Sequence, residues 1–214
     1  MTVLQTQQTT YEHQDEWASR FFQALLDQRL TADEFERAVR GCWESGAFIL
    51  RAPQTAAWLL ELAISADGTD AGYAHDAPNL GFRSQWLIGV HGQPGAIHIQ
   101  APREHSPLAE FPDLNRPPHR HDSGRIAVVT RGRAVFHAVR ELPGGRTVVL
   151  DCPVETGDVI LWPAWTPHTF NAKQGFWLVS AMASYVSPDE DGFVFPLEEA
   201  LDGVPRSAYP PRTR

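Results

Sequence analysis

The chain has 214 residues, of which 43% are hydrophobic, 21% charged and 10% aromatic, and this composition is that of a protein with one globular core. Its formal net charge of −8 argues against a nucleic-acid or anionic-membrane partner. No apolar run approaches the roughly 20 residues of a membrane-spanning helix, and the polar N-terminus lacks a signal-peptide pattern. We therefore expect a soluble, cytoplasmic protein in which Cys42 and Cys152 are buried thiols.

The first part of the chain has helical patterns. From Glu12 to Leu30, apolar residues recur at three- and four-residue spacing, which predicts one helix with an apolar stripe. Thr31 and Glu34 form a capping-box pattern that begins a second helix, and Gly46 marks its expected end. The apolar run Ala56–Ile64 is compatible with either a helix or a strand.

From Phe82 onward, short apolar runs alternate with Gly and Pro. The predicted strands are Gln85–Val90, Ala96–Gln100, Arg125–Thr130, Ala134–Val139, Thr147–Asp151, Val159–Trp162 and Phe176–Tyr185. Many short strands with regular turn signals indicate an antiparallel sandwich or barrel. We therefore predict a mostly β protein in three parts: a helical N-terminal segment (1–81) that packs on a barrel (82–186), and a C-terminal tail (187–214) that wraps the surface.

Two histidines in the segment Pro117–Asp122 are candidate metal ligands. His119 and His121 are two residues apart, so on an extended strand both side chains project from the same face. Two imidazoles side by side on the inner wall of a small barrel form half of a site for a transition metal. Alone, however, such a pair is equally compatible with a structural role.

A second segment, Gly157–Asn171, strengthens the metal hypothesis, because the two segments together resemble the two motifs of the cupin family. The matching positions are His119, His121, Gly132, Gly157, Pro163 and His168. The 24 residues between Gly132 and Gly157 leave room for an inserted hairpin. The resemblance spans residues 113–185. It implies a cupin-type double-stranded β-helix, or jelly-roll barrel, with a mononuclear metal held by His119, His121 and His168.

The sequence also departs from the cupin motifs. Asp113 and Trp165 stand where the motifs have glycine, and Arg125 occupies the position of the metal-binding glutamate, or Ile126 does if the gap is counted long. A guanidinium has no lone pair with which to bind a metal. Strand parity puts Arg125 on the face of the two histidines, where it could bind a substrate carboxylate. An outward orientation or a structural ion pair remains the alternative.

A three-histidine site without a glutamate resembles those of the thiol, gentisate-type and diketone-cleaving dioxygenases. This resemblance implies a non-haem iron(II) oxygenase that uses oxygen and acts on a small anionic or chelating organic molecule. One alternative is a redox-inert cupin in which zinc, nickel or manganese supports elimination, isomerisation or hydrolysis. The other is a small-molecule-binding module without catalysis.

Further candidates lie around the motifs. Trp162 and Trp165 flank Pro163 and could stack on a flat substrate, although core packing explains them as well. His98 could act as a general acid or base if it faces inward, and Tyr185 at a strand end is a second catalytic candidate. Strand edges and terminal segments often pair in such barrels, so we expect a homodimer.

Overall fold

The computed structural model describes the backbone of residues 11–27, 29–66, 74–77, 82–88, 96–102, 119–142, 144–172, 176–183, 192–193 and 206–208. Side chains are described for residues 12–27, 29–62, 120–142, 144–170 and 176–183. Tyr185 lies outside the described residues, as do the side chains of His98 and His119. None of the helices in the described ranges is long and apolar enough to cross a membrane.

Three helices form in the N-terminal part: α1 (Tyr11–Leu26), α2 (Ala32–Ser45) and α3 (Pro53–Ala66). The capping box predicted for α2 is present, because Thr31 Oγ1 accepts from the Glu34 amide and the Glu34 carboxylate accepts from the Thr31 amide. Gly46 ends α2 with a left-handed φ of 81°. The apolar run Ala56–Ile64, whose pattern is compatible with either a helix or a strand, belongs to α3.

Helix α1 ends before the predicted Leu30. The amide of Arg29 donates to the carbonyl of Ala24, five residues back, so the backbone has left the regular four-residue pattern by that point. The apolar stripe therefore predicted the helix correctly but placed its end four residues too late.

The described strands form two sheets. Their bounds are β1 Ile49–Arg51, β2 Ala74–Ala77, β3 Phe82–Ile88, β4 Ala96–Pro102, β5 His119–Arg120, β6 Arg125–Arg131, β7 Arg133–Leu142, β8 Arg146–Glu155, β9 Asp158–Trp162, β10 His168–Ala172, β11 Trp177–Met182, β12 Gly192–Phe193 and β13 Arg206–Ala208. The larger sheet has the order β1-β9-β6-β11-β4-β3-β2, and the smaller one β12-β5-β10-β7-β8-β13. Every described pair is antiparallel except β8 with β13.

The two faces of the larger sheet meet different partners. One face packs against the helices and forms the helix-side core, whose buried members include Phe21, Phe35, Leu59, Ile126, Val128, Val159, Leu161 and Val179. The other face meets the smaller sheet in the inter-sheet core, which includes Ala127, Val129, Phe136, Leu150, Ile160, Trp162, Phe170 and Leu178. Cys42 and Cys152 are buried in separate cores as unbridged thiols, as predicted.

The hairpin between the two motifs forms as expected. Strands β7 and β8 pair from Arg133 opposite Glu155 to Leu142 opposite Arg146. The flanking Gly132 and Gly157 have φ values of 88° and 93°, a conformation that favours glycine, so both motif glycines are explained by the backbone. The described strands thus form two mainly antiparallel sheets, and both motifs lie on them.

Segments on both sides of the predicted barrel also join the sheets. Strands β1 and β2, which precede residue 82, belong to the larger sheet. Strands β12 and β13 of the C-terminal tail pair with β5 and β8. The predicted boundaries stay predictions, but the described sheets draw strands from all three predicted parts.

Candidate functional site

The three motif histidines come together on neighbouring strands of the smaller sheet. His119 of β5 is paired in register with His168, the first residue of β10, and His121 follows β5 directly. The side chains of His121 and His168 are both buried, and their rings lie edge to face with centroids 5.0 Å apart. The pairing of β5 with β10 thus brings the imidazoles of His121 and His168 into contact and places the backbone of His119 beside that of His168.

Both described imidazoles are held in the same tautomer by backbone carbonyls. Nδ1 of His121 lies 2.5 Å from the carbonyl oxygen of Ser123, and Nδ1 of His168 lies 2.8 Å from that of Thr166. A carbonyl oxygen can only accept a hydrogen bond, so Nδ1 carries the hydrogen in each ring. In the neutral ring the lone pair is then on Nε2. Metal-binding histidines are oriented in this way.

The turn before β10 ties the two histidines to each other. The Trp165 amide donates to the carbonyl of His121 over 2.7 Å, while the next residue, Thr166, supplies the carbonyl that holds His168. Trp165 has a φ of 64°, the only positive value among the described non-glycine residues. The turn therefore requires the left-handed conformation that glycine adopts most easily, which explains why the cupin motif has glycine at this position.

Trp162 lies inside the site. It is 3% exposed, and its ring centroid is 4.6 Å from that of His168 and 5.1 Å from that of Phe136. Its indole Nε1 is buried and has no hydrogen-bond acceptor among the described residues. Buried polar groups normally have partners, and an indole N–H placed in this way can donate to a bound molecule.

Arg125, at the glutamate position of the motif, is 4% exposed. It lies directly opposite Trp162 in the pairing of β6 with β9. Residues opposite each other in an antiparallel pair share a face, so Arg125 is on the inter-sheet face with Trp162. Arg125 thus faces the space between the sheets. Strand parity is not a sound basis for this prediction, because His119 is on β5 of the smaller sheet and Arg125 is on β6 of the larger one.

Arg125 brings a buried guanidinium to the described part of the site. The buried acids among the described residues are Asp15 and Asp158. Asp15 accepts from the Gln54 and Thr55 amides at the start of α3, and Asp158 pairs with Arg51. Asp158 has the same strand parity on β9 as Trp162, but it lies at the other end of the strand, where its carboxylate accepts from Arg51 and from the Glu155 amide.

The other candidates are placed differently. Trp165 is 59% exposed, with the Arg120 guanidinium 5.8 Å from its ring centroid, so it lies at the surface while Trp162 is buried. The backbone of His98 pairs with that of Ser180 on β11, but its side chain is among those not described. Among the described side chains, no group of three His, Cys, Asp or Glu residues is placed to hold a metal ion. A third ligand therefore depends on His119.

Sequence reasoning missed the groups that orient the histidines. Ser123 and Thr166 act through their backbone carbonyls, which any residue supplies, so no side-chain pattern signals them. His137, by contrast, is a buried histidine that lies away from the inter-sheet core. It lies on the opposite face of β7 from Phe136 and pairs with Asp151 at 2.6 Å, outside the inter-sheet core.

Comparison with known proteins finds partial likeness to solved structures, while no family model and no curated protein matches. A chain of Bacillus subtilis oxalate decarboxylase, studied for its Mn(II) centres, is 16% identical with a TM-score of 0.43, over 62% of this chain and 34% of its own. Lactobacillus farciminis oxalate decarboxylase in a formate complex is 15% identical with a TM-score of 0.43, over 63% of this chain and 42% of its own. This chain thus spans less than half of either enzyme chain, and a likeness at this level transfers neither their activity nor their metal.

Proposed function

We propose that the protein is a metal-dependent enzyme that binds a small organic anion beside a mononuclear centre of His119, His121 and His168. The observation that supports it most is the shared tautomer of His121 and His168, whose Nδ1 hydrogens are engaged by backbone carbonyls. This leaves Nε2 of each ring as the donor that a divalent transition metal prefers. His119 is included because of its motif position and its register opposite His168.

The residues around the histidines would bind and orient the substrate. The Arg125 guanidinium can pair with a carboxylate through two parallel hydrogen bonds, and the Trp162 N–H supplies a further donor on the same face. The rings of Phe136, Trp162 and Phe170 form one side of the site and exclude water from it. When bound, a divalent metal supplies positive charge that polarises a coordinated oxygen.

The donor set does not select a metal, because imidazole nitrogen suits iron, zinc and nickel alike. An iron(II) oxygenase stays our prediction from the three-histidine resemblance. The redox-inert alternative keeps zinc, nickel and manganese as its candidate metals. Dependence on oxygen separates the two, since a lyase, isomerase or hydrolase turns over anaerobically and an oxygenase does not.

The proposal is tested by loading the protein with Fe²⁺, Mn²⁺, Zn²⁺ or Ni²⁺ and screening small mono- and dicarboxylic acids for turnover, in air and without oxygen. We expect turnover of at least one acid with one of these metals. Turnover only in air would identify the oxygenase, and turnover in both atmospheres the redox-inert enzyme. Binding of an acid without turnover under any condition would contradict the proposal in favour of a binding module.

Two variants test the anion site separately from the metal. Arg125→Leu and Trp162→Phe should each weaken binding of the acid about tenfold or more, because each removes a buried donor to a charged group. Metal affinity should change by less than threefold, roughly, since neither side chain provides a metal-binding atom. Equal losses of acid and metal affinity would show that these residues support the centre rather than the substrate.

A further inference from the structure

Helix α2 reaches the loop that carries His121 through a single carboxylate. Glu36, in the second turn of α2, accepts a hydrogen bond on Oε1 from the Gly124 amide over 2.5 Å. The two residues are 88 positions apart in the sequence. This contact therefore joins the N-terminal helical segment to the strand-connecting loop between β5 and β6.

The amide of Gly124 belongs to the same peptide group as the Ser123 carbonyl, and that carbonyl accepts from Nδ1 of His121. One peptide group thus carries the Glu36 carboxylate on its N–H side and the His121 ring on its C=O side. A hydrogen bond from the N–H to a carboxylate polarises the peptide and makes its carbonyl a stronger acceptor. The result is a chain of two hydrogen bonds from a carboxylate to an imidazole.

Gly124 permits this contact because it has no side chain, and not because of its backbone conformation. Its φ is not among the positive values of the described glycines. A Cβ at this position, however, would lie 2.6 Å from Glu36 Oε2 and 3.0 Å from Glu36 Cδ. Only a residue without a side chain lets the carboxylate approach so closely.

The carboxylate is also held at a cost to the fold. Glu36 Oε2 is buried and has no hydrogen-bond partner among the described residues. A buried oxygen in this state costs about 1 to 3 kcal/mol. A shorter or apolar side chain at position 36 would avoid this cost in folding free energy, but it would also lose the hydrogen bond from the Gly124 amide.

We propose that Glu36 is a positioning residue for the metal centre, which orients His121 through the Ser123–Gly124 peptide and makes its Nε2 a better donor. This inference rests on the proposed metal site. It adds a carboxylate that supports the centre from outside the ligand set, in a chain whose motif has arginine where the ligand glutamate is expected.

The test measures Zn²⁺ affinity of the full chain by competition with a chelating dye, together with the visible spectrum of the Co²⁺ form. Glu36→Ala should weaken Zn²⁺ binding about tenfold, the lower end of the range for groups that support metal ligands, and should shift the Co²⁺ bands. Glu36→Gln keeps an oxygen acceptor for the Gly124 amide, so its affinity should lie between those of the unaltered protein and Glu36→Ala. Equal losses in the two variants would contradict the hydrogen-bond route.

Glu34→Ala is the matched control, because Glu34 lies two residues away on the same helix and its carboxylate is hydrogen-bonded to Thr31 rather than to the loop that carries His121. It should lower the melting temperature through the lost capping box but leave Zn²⁺ affinity unchanged. If it weakens Zn²⁺ binding as much as Glu36→Ala does, Glu36 acts only through the stability of α2 and the inference is wrong.

Gly124→Ala supplies an independent test, since the added methyl group would displace the Glu36 carboxylate. It should weaken Zn²⁺ binding in the unaltered protein and have little further effect in the Glu36→Ala background. Additive losses would contradict the proposed contact. Failure of the unaltered chain to bind Zn²⁺ would overturn the proposed metal site and this inference together, whereas equal Zn²⁺ affinity of the unaltered and Glu36→Ala proteins would overturn the inference alone.

Discussion

The two cores of this molecule share the same strands but differ in chemistry. On β6, Ile126 and Val128 face the helices, whereas Arg125, Ala127 and Val129 occupy the alternate positions on the inter-sheet face. On β9, Leu161 belongs to the helix-side core and Trp162 to the inter-sheet core. A single alternating pattern thus builds an apolar support on one side of the larger sheet and a polar site on the other.

The difference shows how this fold separates stability from function. Helices α1 to α3 cover the outer face mainly with phenylalanine and aliphatic side chains, and the buried Asp15 is hydrogen-bonded to the start of α3. The inter-sheet face holds buried imidazole and guanidinium groups beside its own apolar core. Variants on the two faces should therefore affect different measurements.

The largest expected effect is loss of the metal in His168→Ala. This change removes a proposed ligand, so metal affinity should fall by at least about a hundredfold, the upper end of what removing even a supporting group costs. His137→Ala is the matched control, because His137 is also a buried histidine of the smaller sheet but pairs with Asp151 on the other face. Dye competition would measure both variants, and a similar loss in both would contradict the assignment of the site.

A change in the helix-side core should have the reverse effect. Phe35 is 1% exposed and lies against Phe21 with ring centroids 5.3 Å apart, so Phe35→Ala should lower the free energy of unfolding by about 3 to 5 kcal/mol. Urea unfolding of the metal-free protein would measure this loss. The folded fraction should keep the metal affinity of the unaltered protein, and a large loss of affinity would show that the two cores are coupled.

A smaller effect of opposite sign is expected at the turn between β9 and β10. Trp165→Gly relieves the left-handed φ of 64° and keeps the backbone amide that holds His121, so it should raise the free energy of unfolding by roughly 0.5 to 1 kcal/mol. The same variant tests the predicted substrate role of the exposed indole. Unchanged acid binding alongside the gain in stability would remove Trp165 from the substrate site.

The smallest effect concerns the start of α2. Hydrogen bonds from the Thr31 backbone and then the Thr31 side chain lower the pKa of Glu34. Because the folded-state pKa is the lower one, this stabilisation is present above the unfolded pKa of about 4.3 and is lost as the pH falls through the folded value. Urea midpoints of the unaltered protein and Glu34→Gln should therefore differ at pH 7 and converge once the pH has fallen below the folded-state pKa. A constant difference would contradict a role for the charge.

The sequence patterns predicted where helices and turns form better than they predicted which strands pair with one another. The capping box at Thr31 and the turn at Gly46 are local signals, and both are present in the structure. Strand β1 was missed because its three residues, Ile49 to Arg51, are too few for an alternating pattern, and only pairing with β9 defines it. Elements that depend on distant partners have no local signal by which sequence reasoning could find them.

The candidate site likewise combines features that the sequence signals with features that it does not signal. Motif spacing made His121, His168 and Arg125 candidates, because residue types and their spacing can be read directly from the sequence, and their roles stay predictions. The carbonyls of Ser123 and Thr166 and the contact from Glu36 were missed, since they depend on backbone geometry and on packing between distant segments. The spacing also treated Trp162 and Trp165 alike, whereas the turn between them buries one and exposes the other.

The metal centre of His119, His121 and His168 is tested most directly by the metal content of the purified protein after anaerobic reconstitution. The same measurement is made on the His119→Ala/His121→Ala variant. We expect about one equivalent of a divalent transition metal per chain in the unaltered protein and none in the variant, with both chains folded by circular dichroism. Equal metal content in the two proteins, or no metal in either, would contradict a centre built from these histidines.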